Sequence, residues 1–292
     1  MSDIKILDIK SDYIFKLVFG SEKNKNVLIS FLNAVFKNHP KVMDVQLKNT
    51  EITKILAENR SVRLDVTAEI ENHTFVDVEI QVRNTGDIID RGIQYLASLM
   101  VENFRAKPLS DQADYTYPKV IGIWVLAEPV TSRLSAVNEA VMTFKKNQLE
   151  TYQIASEKFR LFTIELTKFH PTKLSRQNML DVWMTFLKNP LDDKLTSFKE
   201  VHQALDTLKE VSADSDVREC YRLRRETEFN YISETNIKTK QARAEGKAEG
   251  LIEGKAEGIA EVARKMLDNG IDANAVAKIT GLKLEEVTKL NN

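Results

Sequence analysis

The spacing of apolar residues divides the chain into helical and extended stretches. In SDYIFKLVFG, Ile14, Leu17 and Val18 fall at helical spacing, and the pattern stops at Gly20. NVLISFLNAVF repeats it with Leu28, Phe31, Leu32, Val35 and Phe36, and Pro40 closes that helix. KVMDVQLK alternates at Val42, Val45 and Leu47 and reads as a strand. SVRLDVTAEIENHTFVDVEIQVR, residues 61–83, holds two alternating runs around a polar turn, the pattern of a β-hairpin. GDIIDRGIQYLASLMVENF then predicts an amphipathic helix with Ile89, Ile93, Leu96, Leu99, Met100 and Phe104 on one face. KVIGIWVLA is a continuous β-branched run, as in a strand buried on both faces. FRLFTIEL, residues 159–166, reads as another strand, and residues 175–233 are mostly helical in pattern. Helix, three strands, helix, strand is the order of an α/β fold with a mixed sheet and helices on its faces. Phe15, Phe19, Trp124, Trp183 and the methionines are assigned to its core.

The tail is of another kind. ARAEGKAEGLIEGKAEGIAEVARK repeats every four residues, with Gly246, Gly250, Gly254 and Gly258 in step. On a 3.6-residue helix this period drifts slowly and draws a glycine stripe, a glutamate stripe and a mixed Lys/aliphatic stripe. Each interior glycine costs ~1 kcal/mol against alanine. Two readings stay open: a helix that needs a partner against its smooth face, or a charged linker helical part of the time. MLDNGIDANAVAKITGLKLEEVTKL follows as three short helices with Ala275, Val276, Ile279, Leu282, Leu284 and Val287 as a small core. The expected organisation is residues 1–235, a repeat at 236–262 and a terminal helical module at 263–292.

Composition narrows the function classes. The 292 residues are 42% hydrophobic and 29% charged, with 42 basic against 43 acidic side chains and a net charge of -1. No global basic character advertises nucleic acid, so any polyanion site is a local patch. One cysteine, Cys220, excludes an intramolecular disulfide and fits a reducing compartment. The four histidines are scattered and form no zinc spacing. No apolar signal core or membrane-length run is present, so a cytoplasmic protein without membrane attachment is expected.

The hairpin carries the chemistry. Matching its apolar faces around a three-residue loop, Glu71-Asn72-His73, pairs Leu64 with Ile80, Val66 with Val78 and Ala68 with Val76. Asp65 then stands across from Glu79, and Arg63 across from Gln81. Cross-strand Cβ atoms lie ~4.5–5.5 Å apart, where two carboxylates repel. A divalent cation held by Asp65, Glu79 and the carbonyl of Ile80 is one answer, because Mg²⁺ takes oxygen ligands. A solvated polar face with Asp65 paired to Arg63 or Arg83 is the other.

SDYIFKLVFG, RLDV, VEIQ and DRGIQYLASLM, in that order, resemble the Rpn family of recombination-promoting nucleases and transposase-like proteins, within the PD-(D/E)XK superfamily. The resemblance spans roughly residues 8–230, and the repeat and terminal helices are also similar to tails of that family. It implies the superfamily's αβββαβ core. It also implies a metal-dependent endonuclease that hydrolyses DNA phosphodiesters with little sequence specificity and promotes recombination. The cofactor would be Mg²⁺, with Mn²⁺ or Ca²⁺ as substitutes. Asp65 matches the first metal ligand and Glu79 the second. Gln81 stands at the usual lysine position, and Asp12 matches the acid of the first helix. The residues alone also allow Asp12 to be a helix N-cap. Lys16, one turn on, is placed to meet a phosphate or to pair with Asp12. Arg91 and Tyr95 share a helix face; the family's usual Tyr-Tyr pair is Gln94-Tyr95 here. Arg91 is assigned to the scissile strand and Tyr95 to stacking or a hydrogen bond near the metal, against a half-exposed tyrosine packed on the sheet.

The competing function is a degenerate nuclease fold acting as an oligomerising interaction or regulatory protein; RNA or a junction as substrate is a third reading. The intact Asp65, Glu79 and Gln81 favour the nuclease. The terminal helices allow a helix-turn-helix reading. KLEEVTKL, with two Glu against two Lys, is poor for a phosphate-facing helix, so self-association through the tail, or autoinhibition, is the expectation.

Overall fold

The computed structural model describes residues 5–37, 39–48, 65–82, 86–107, 116–129, 135–146 and 151–290. The chain divides into two compact units, Met1–Tyr221 and Arg222–Asn292. In the first, α1 (Asp12–Phe19) and α2 (Lys25–Val35) precede β1 (Gln46–Lys48), β2 (Val66–Ile70) and β3 (Thr74–Gln81). Then come α3 (Ile88–Arg105), β4 (Lys119–Leu126), β5 (Val137–Lys146), β6 (Thr151–Glu165), α4 (Met179–Lys188) and α5 (Lys199–Ala213). The six strands form one sheet in the order β1-β2-β3-β4-β6-β5. β3, β4 and β6 run parallel, and the remaining neighbours pair antiparallel. This is the mixed α/β sheet expected from the element order.

Helices cover both faces. Against one, α1, α2, α4 and α5 pack Phe15, Phe19, Phe31, Trp183 and Phe186 onto Val66, Val78, Ile121, Ile123 and Phe162. Phe19 sits 5.5 Å from both Phe31 and Trp183, ring centre to ring centre. Against the other, α3 packs Ile88, Leu96 and Leu99 onto Phe75, Val120, Trp124 and Leu161. β3 is therefore buried almost throughout. The four core aromatics named from sequence are all fully buried, whereas Met43 and Met142 are exposed.

The buried stripe of α3 differs from the expected one. Ile89 and Ile93 are exposed, and Ile88, Gly92, Leu96 and Leu99 face the sheet. A side chain at Gly92 would put its Cβ 3.0 Å from a methyl of Leu161, so the helix approaches the sheet at its one residue without a Cβ. The first strand is also shorter than its alternation. Val42 and Val45 are buried, but Asn33 holds both the N–H and the carbonyl of Val42, each at 2.9 Å, against α2. α2 itself ends at Val35, ahead of Pro40. β5 was not foreseen, and β6 begins before residue 159. Val137 to Thr143 bury little, so backbone pairing with β6, and not a side-chain pattern, makes β5 a strand.

α6 (Ser215–Asp268) continues as one helix through all four repeat glycines. In the second unit, Ala263 near its end packs with Val276 of α7 (Ala273–Thr280) and Val287 of α8 (Leu284–Lys289). Asp272 caps α7 by accepting from the N–H groups of Asn274 and Ala275, and Gly281 ends it at φ 77°. Ile279 and Leu284, expected in this small core, are exposed.

Candidate nuclease site

The hairpin register is the one its apolar faces require. Val66 pairs with Val78, Thr67 with Asp77 and Ala68 with Val76, around the Glu71–His73 loop. Asn72 and His73 take positive φ in that loop, at 58° and 49°, and close the turn. One step beyond Val66, Asp65 meets Glu79. The backbone N–H of Asp65 donates to Glu79 Oε1 at 3.0 Å, and the N–H of Ile80 donates to Asp65 Oδ2 at 3.0 Å. The expected pairings of Leu64 with Ile80 and Arg63 with Gln81, and any ion pair of Asp65 with Arg63 or Arg83, lie outside the described residues.

This acid-bearing face is not solvated. It is the face that α3 covers, and Glu79 and Asp77 are buried. Burial pushes Glu79 up to about 11, with the charges of Asp65 and Asp77 adding to it. Asp65 is pushed up to about 7 by burial, and by Asp12, against the pull of the Ile80 N–H and of Lys16. Asp77 is held well above the usual carboxylate range by burial and by Asp65. The Thr67 hydroxyl opposite it pulls the other way, yet among the described residues neither that hydroxyl nor the two carboxylate oxygens complete a well-formed hydrogen bond. The sequence reading passed over Asp77. Its only signal is the Asp-x-Glu-x-Gln spacing, which puts Asp77, Glu79 and Gln81 on one face of β3.

α3 supplies the cation. Arg91 donates to Gln81 Oε1 at 3.4 Å and to the Tyr95 hydroxyl at 3.3 Å, and lies 5.4 Å over the Trp124 ring. Its partial burial works to lower its pKa, but Tyr95, Asp87 and Glu79 together hold it above the usual guanidinium value. The fold thus gathers Asp65, Glu79, Gln81, Arg91 and Tyr95. Tyr95 also packs 5.5 Å from Trp124, so it is at once bonded to Arg91 and packed on the sheet. Asp12 and Lys16 of α1 come in through their charges: both bear on Asp65, and Lys16 also on Asp77. Asp12 is not the N-cap of α1. Ser11 occupies that position, and Asp12 is the first helical residue.

The residues fit a hard divalent ion. Two carboxylates and the Ile80 carbonyl at one strand end are all oxygen donors, and the burial that raises both acids above the usual carboxylate range would be offset by a cation. Among the described residues no three His, Cys, Asp or Glu side chains converge, so water or substrate oxygens would complete the shell.

A mixed sheet with helices on both faces and an Asp/Glu-x-Gln pair on its central hairpin defines a nuclease-type α/β fold. Residues 9–237 match the family described as PD-(D/E)XK nuclease family transposase, and residues 256–292 match the Rpn/YhgA-like nuclease family, C-terminal HTH domain. The chain belongs to this Rpn-type branch of the PD-(D/E)XK nuclease family. No curated protein and no solved structure gives a match. The second match supports the helix-turn-helix reading of the terminal helices, which the charge of KLEEVTKL had set second to self-association. That ranking weighed the charge of one helix, whereas such a unit is defined by how its helices pack.

Proposed function

We propose that this chain is a divalent-metal-dependent endodeoxyribonuclease that hydrolyses DNA phosphodiester bonds with little sequence readout and supplies ends for recombination. The mutual clamp of Asp65 and Glu79, beside the Gln81–Arg91–Tyr95 chain, carries the reading. Asp65, Glu79 and the Ile80 carbonyl would hold Mg²⁺, with Mn²⁺ or Ca²⁺ as substitutes. When bound, the ion supplies charge for the phosphate oxygens and a lowered pKa for its water. Gln81, its oxygen engaged by Arg91, offers its amide N–H to orient a water or a phosphate oxygen. Arg91, fixed by Tyr95 and Trp124, places a permanent charge where negative charge builds on the phosphate. Asp12 and Lys16 sit at the rim, Lys16 to meet a phosphate and Asp12 to accept from the ion's water. The terminal helix-turn-helix unit would bind DNA, and its even charge favours weak docking. Among the described residues no helix is long and apolar enough to cross a membrane. With Cys220 free, we place the protein in the cytoplasm.

The test is plasmid nicking with Mg²⁺ and with EDTA, beside Asp65→Ala and Glu79→Ala. Metal-dependent nicking lost in both variants supports the proposal. A folded wild type that never nicks, with or without residues 236–292, would leave a non-catalytic interaction protein.

A second reading concerns assembly. α6 spans 54 residues and exposes Phe229, Tyr231, Leu251 and Ile252. Side chains added at Gly246, Gly250, Gly254 or Gly258 would meet nothing within 4 Å. A helix with so little covered surface gains stability from a second copy, so a homo-oligomer through the C-terminal helices is proposed. Light scattering would show a monomer if this is wrong.

A further inference from the structure

α2 and the starts of α4 and α5 border an open cleft of ≈ 440 Å³. These helices cover the sheet face opposite α3, so the cleft shares no residue with the carboxylate site. Four cations line it, Lys37, Lys41, Arg176 and Lys199, against one acid, Glu200. Among the described residues none of the four makes an ion pair with a carboxylate; Arg176 donates to the Ser197 carbonyl at 3.2 Å. In a chain of net charge -1, four such cations on one concavity are a local concentration of charge. A cleft lined by one sign focuses its field on whatever enters.

The backbone adds to this. Asn178 and Phe198, the N-caps of α4 and α5, make no side-chain capping bond, and the first turns of both helices line the cleft. Their opening N–H groups contribute positive potential. Glu200 lies in the first turn of α5, and its buried Oε2 has no hydrogen-bond partner among the described residues. Ile29 and Met179 supply an apolar wall.

We propose that this cleft binds a small phosphorylated ligand of nucleotide size. Its phosphates lie among Lys37, Lys41, Arg176 and Lys199, and its apolar part against Ile29 and Met179. The volume is in the range of small-molecule sites, ~300–1,000 Å³. A duplex backbone would instead follow cations set along an extended surface. Glu200 is the one opposing charge, so it sets how tightly an anion is held.

The experiment titrates the full chain in EDTA, at constant ionic strength, with ATP, with inorganic phosphate and with a short DNA duplex. The Lys37→Gln/Lys199→Gln double variant and Glu200→Gln are run beside it. Saturable ATP binding is expected, weakened at least about tenfold in the double variant and tightened several-fold in Glu200→Gln. Plasmid nicking in Mg²⁺ and the thermal midpoint stay unchanged in the double variant, whose lysines are exposed. Absence of saturable ATP binding overturns the proposal, as does ATP binding equal in wild type and the double variant. Duplex affinity lost in the double variant without any ATP binding overturns it too, and reassigns the patch to the nucleic-acid backbone.

Discussion

Asp65 and Glu79 each hold a backbone N–H of the opposite strand. The Asp65 N–H donates to Glu79 and the Ile80 N–H to Asp65, both at 3.0 Å. The two acids are thus positioned by the hairpin before any ligand arrives. Neutral isosteres keep these bonds and lose the charge. Asp65→Asn and Glu79→Gln should therefore fold as wild type yet lower metal-dependent nicking by about 100-fold or more. Circular dichroism with a nicking time course checks both halves of that statement.

Stability without metal should fall as pH rises. Asp65 titrates at about 7 and Glu79 at about 11 in the folded chain, against ordinary values near ~4 in an unfolded one. Above pH ~4 the folded state binds more protons than the unfolded state, so each unit of pH costs stability until the folded pKa is passed. Asp65 contributes this loss between about 4 and 7, and Glu79 continues it toward 11. Mg²⁺, which replaces those protons, should raise the melting temperature more at pH 8 than at pH 5. An equal shift at both pH values would contradict metal binding at these acids.

Asp77→Asn tests the buried acid behind the pair. The substitution removes a carboxyl that completes no well-formed hydrogen bond among the described residues and is held above its usual range by burial. In EDTA the variant should melt at a higher temperature than wild type at pH 8 and match it near pH 4, where both side chains are neutral. A melting curve lowered equally at both pH values would show Asp77 to be a packing residue.

Arg91→Lys keeps the charge but not the planar group that bonds Gln81 and Tyr95 and covers Trp124. Loss of kcat by about 10–100-fold is expected, with a smaller change in KM. Single-turnover nicking separates the two. A KM effect alone would make Arg91 a binding residue.

Glycine has opposite meanings in the two long helices. Gly92→Val puts a branched side chain against Leu161 and should cost about 1–3 kcal/mol. Gly250→Ala meets open space within one chain and should stabilise α6 by about 1 kcal/mol, the proposed second copy pairing through the exposed Phe229, Tyr231, Leu251 and Ile252 and not on the glycine stripe. Denaturant unfolding of both variants reads the two signs. Destabilisation by Gly250→Ala would mean that another helix packs on the glycine stripe.

Much of this molecule was legible from local order. The period-2 pattern of residues 66–81 admits one register, because a one-residue slip would turn the polar face onto the Phe15–Phe19 side and carry Val66, Val76 and Val78 away from it. Register then decides that Asp65 meets Glu79. The helical spacing through Ile14, Leu17 and Val18 likewise determined α1 without reference to any partner. Other features belong to tertiary structure alone. Only the approach of Leu161 decides that α3 turns Gly92 and not Ile93 inward. Only pairing with β6 makes a strand of Val137–Lys146, because the side chains of Val137 to Thr143 bury little. Only α3 closing over the hairpin turns a face that reads as polar into a buried one, where burial pushes Asp77 and Glu79 above the usual carboxylate range. A sequence states which residues share a face. What covers that face, and so whether its acids sit in water or out of it, depends on contacts between segments far apart in the chain.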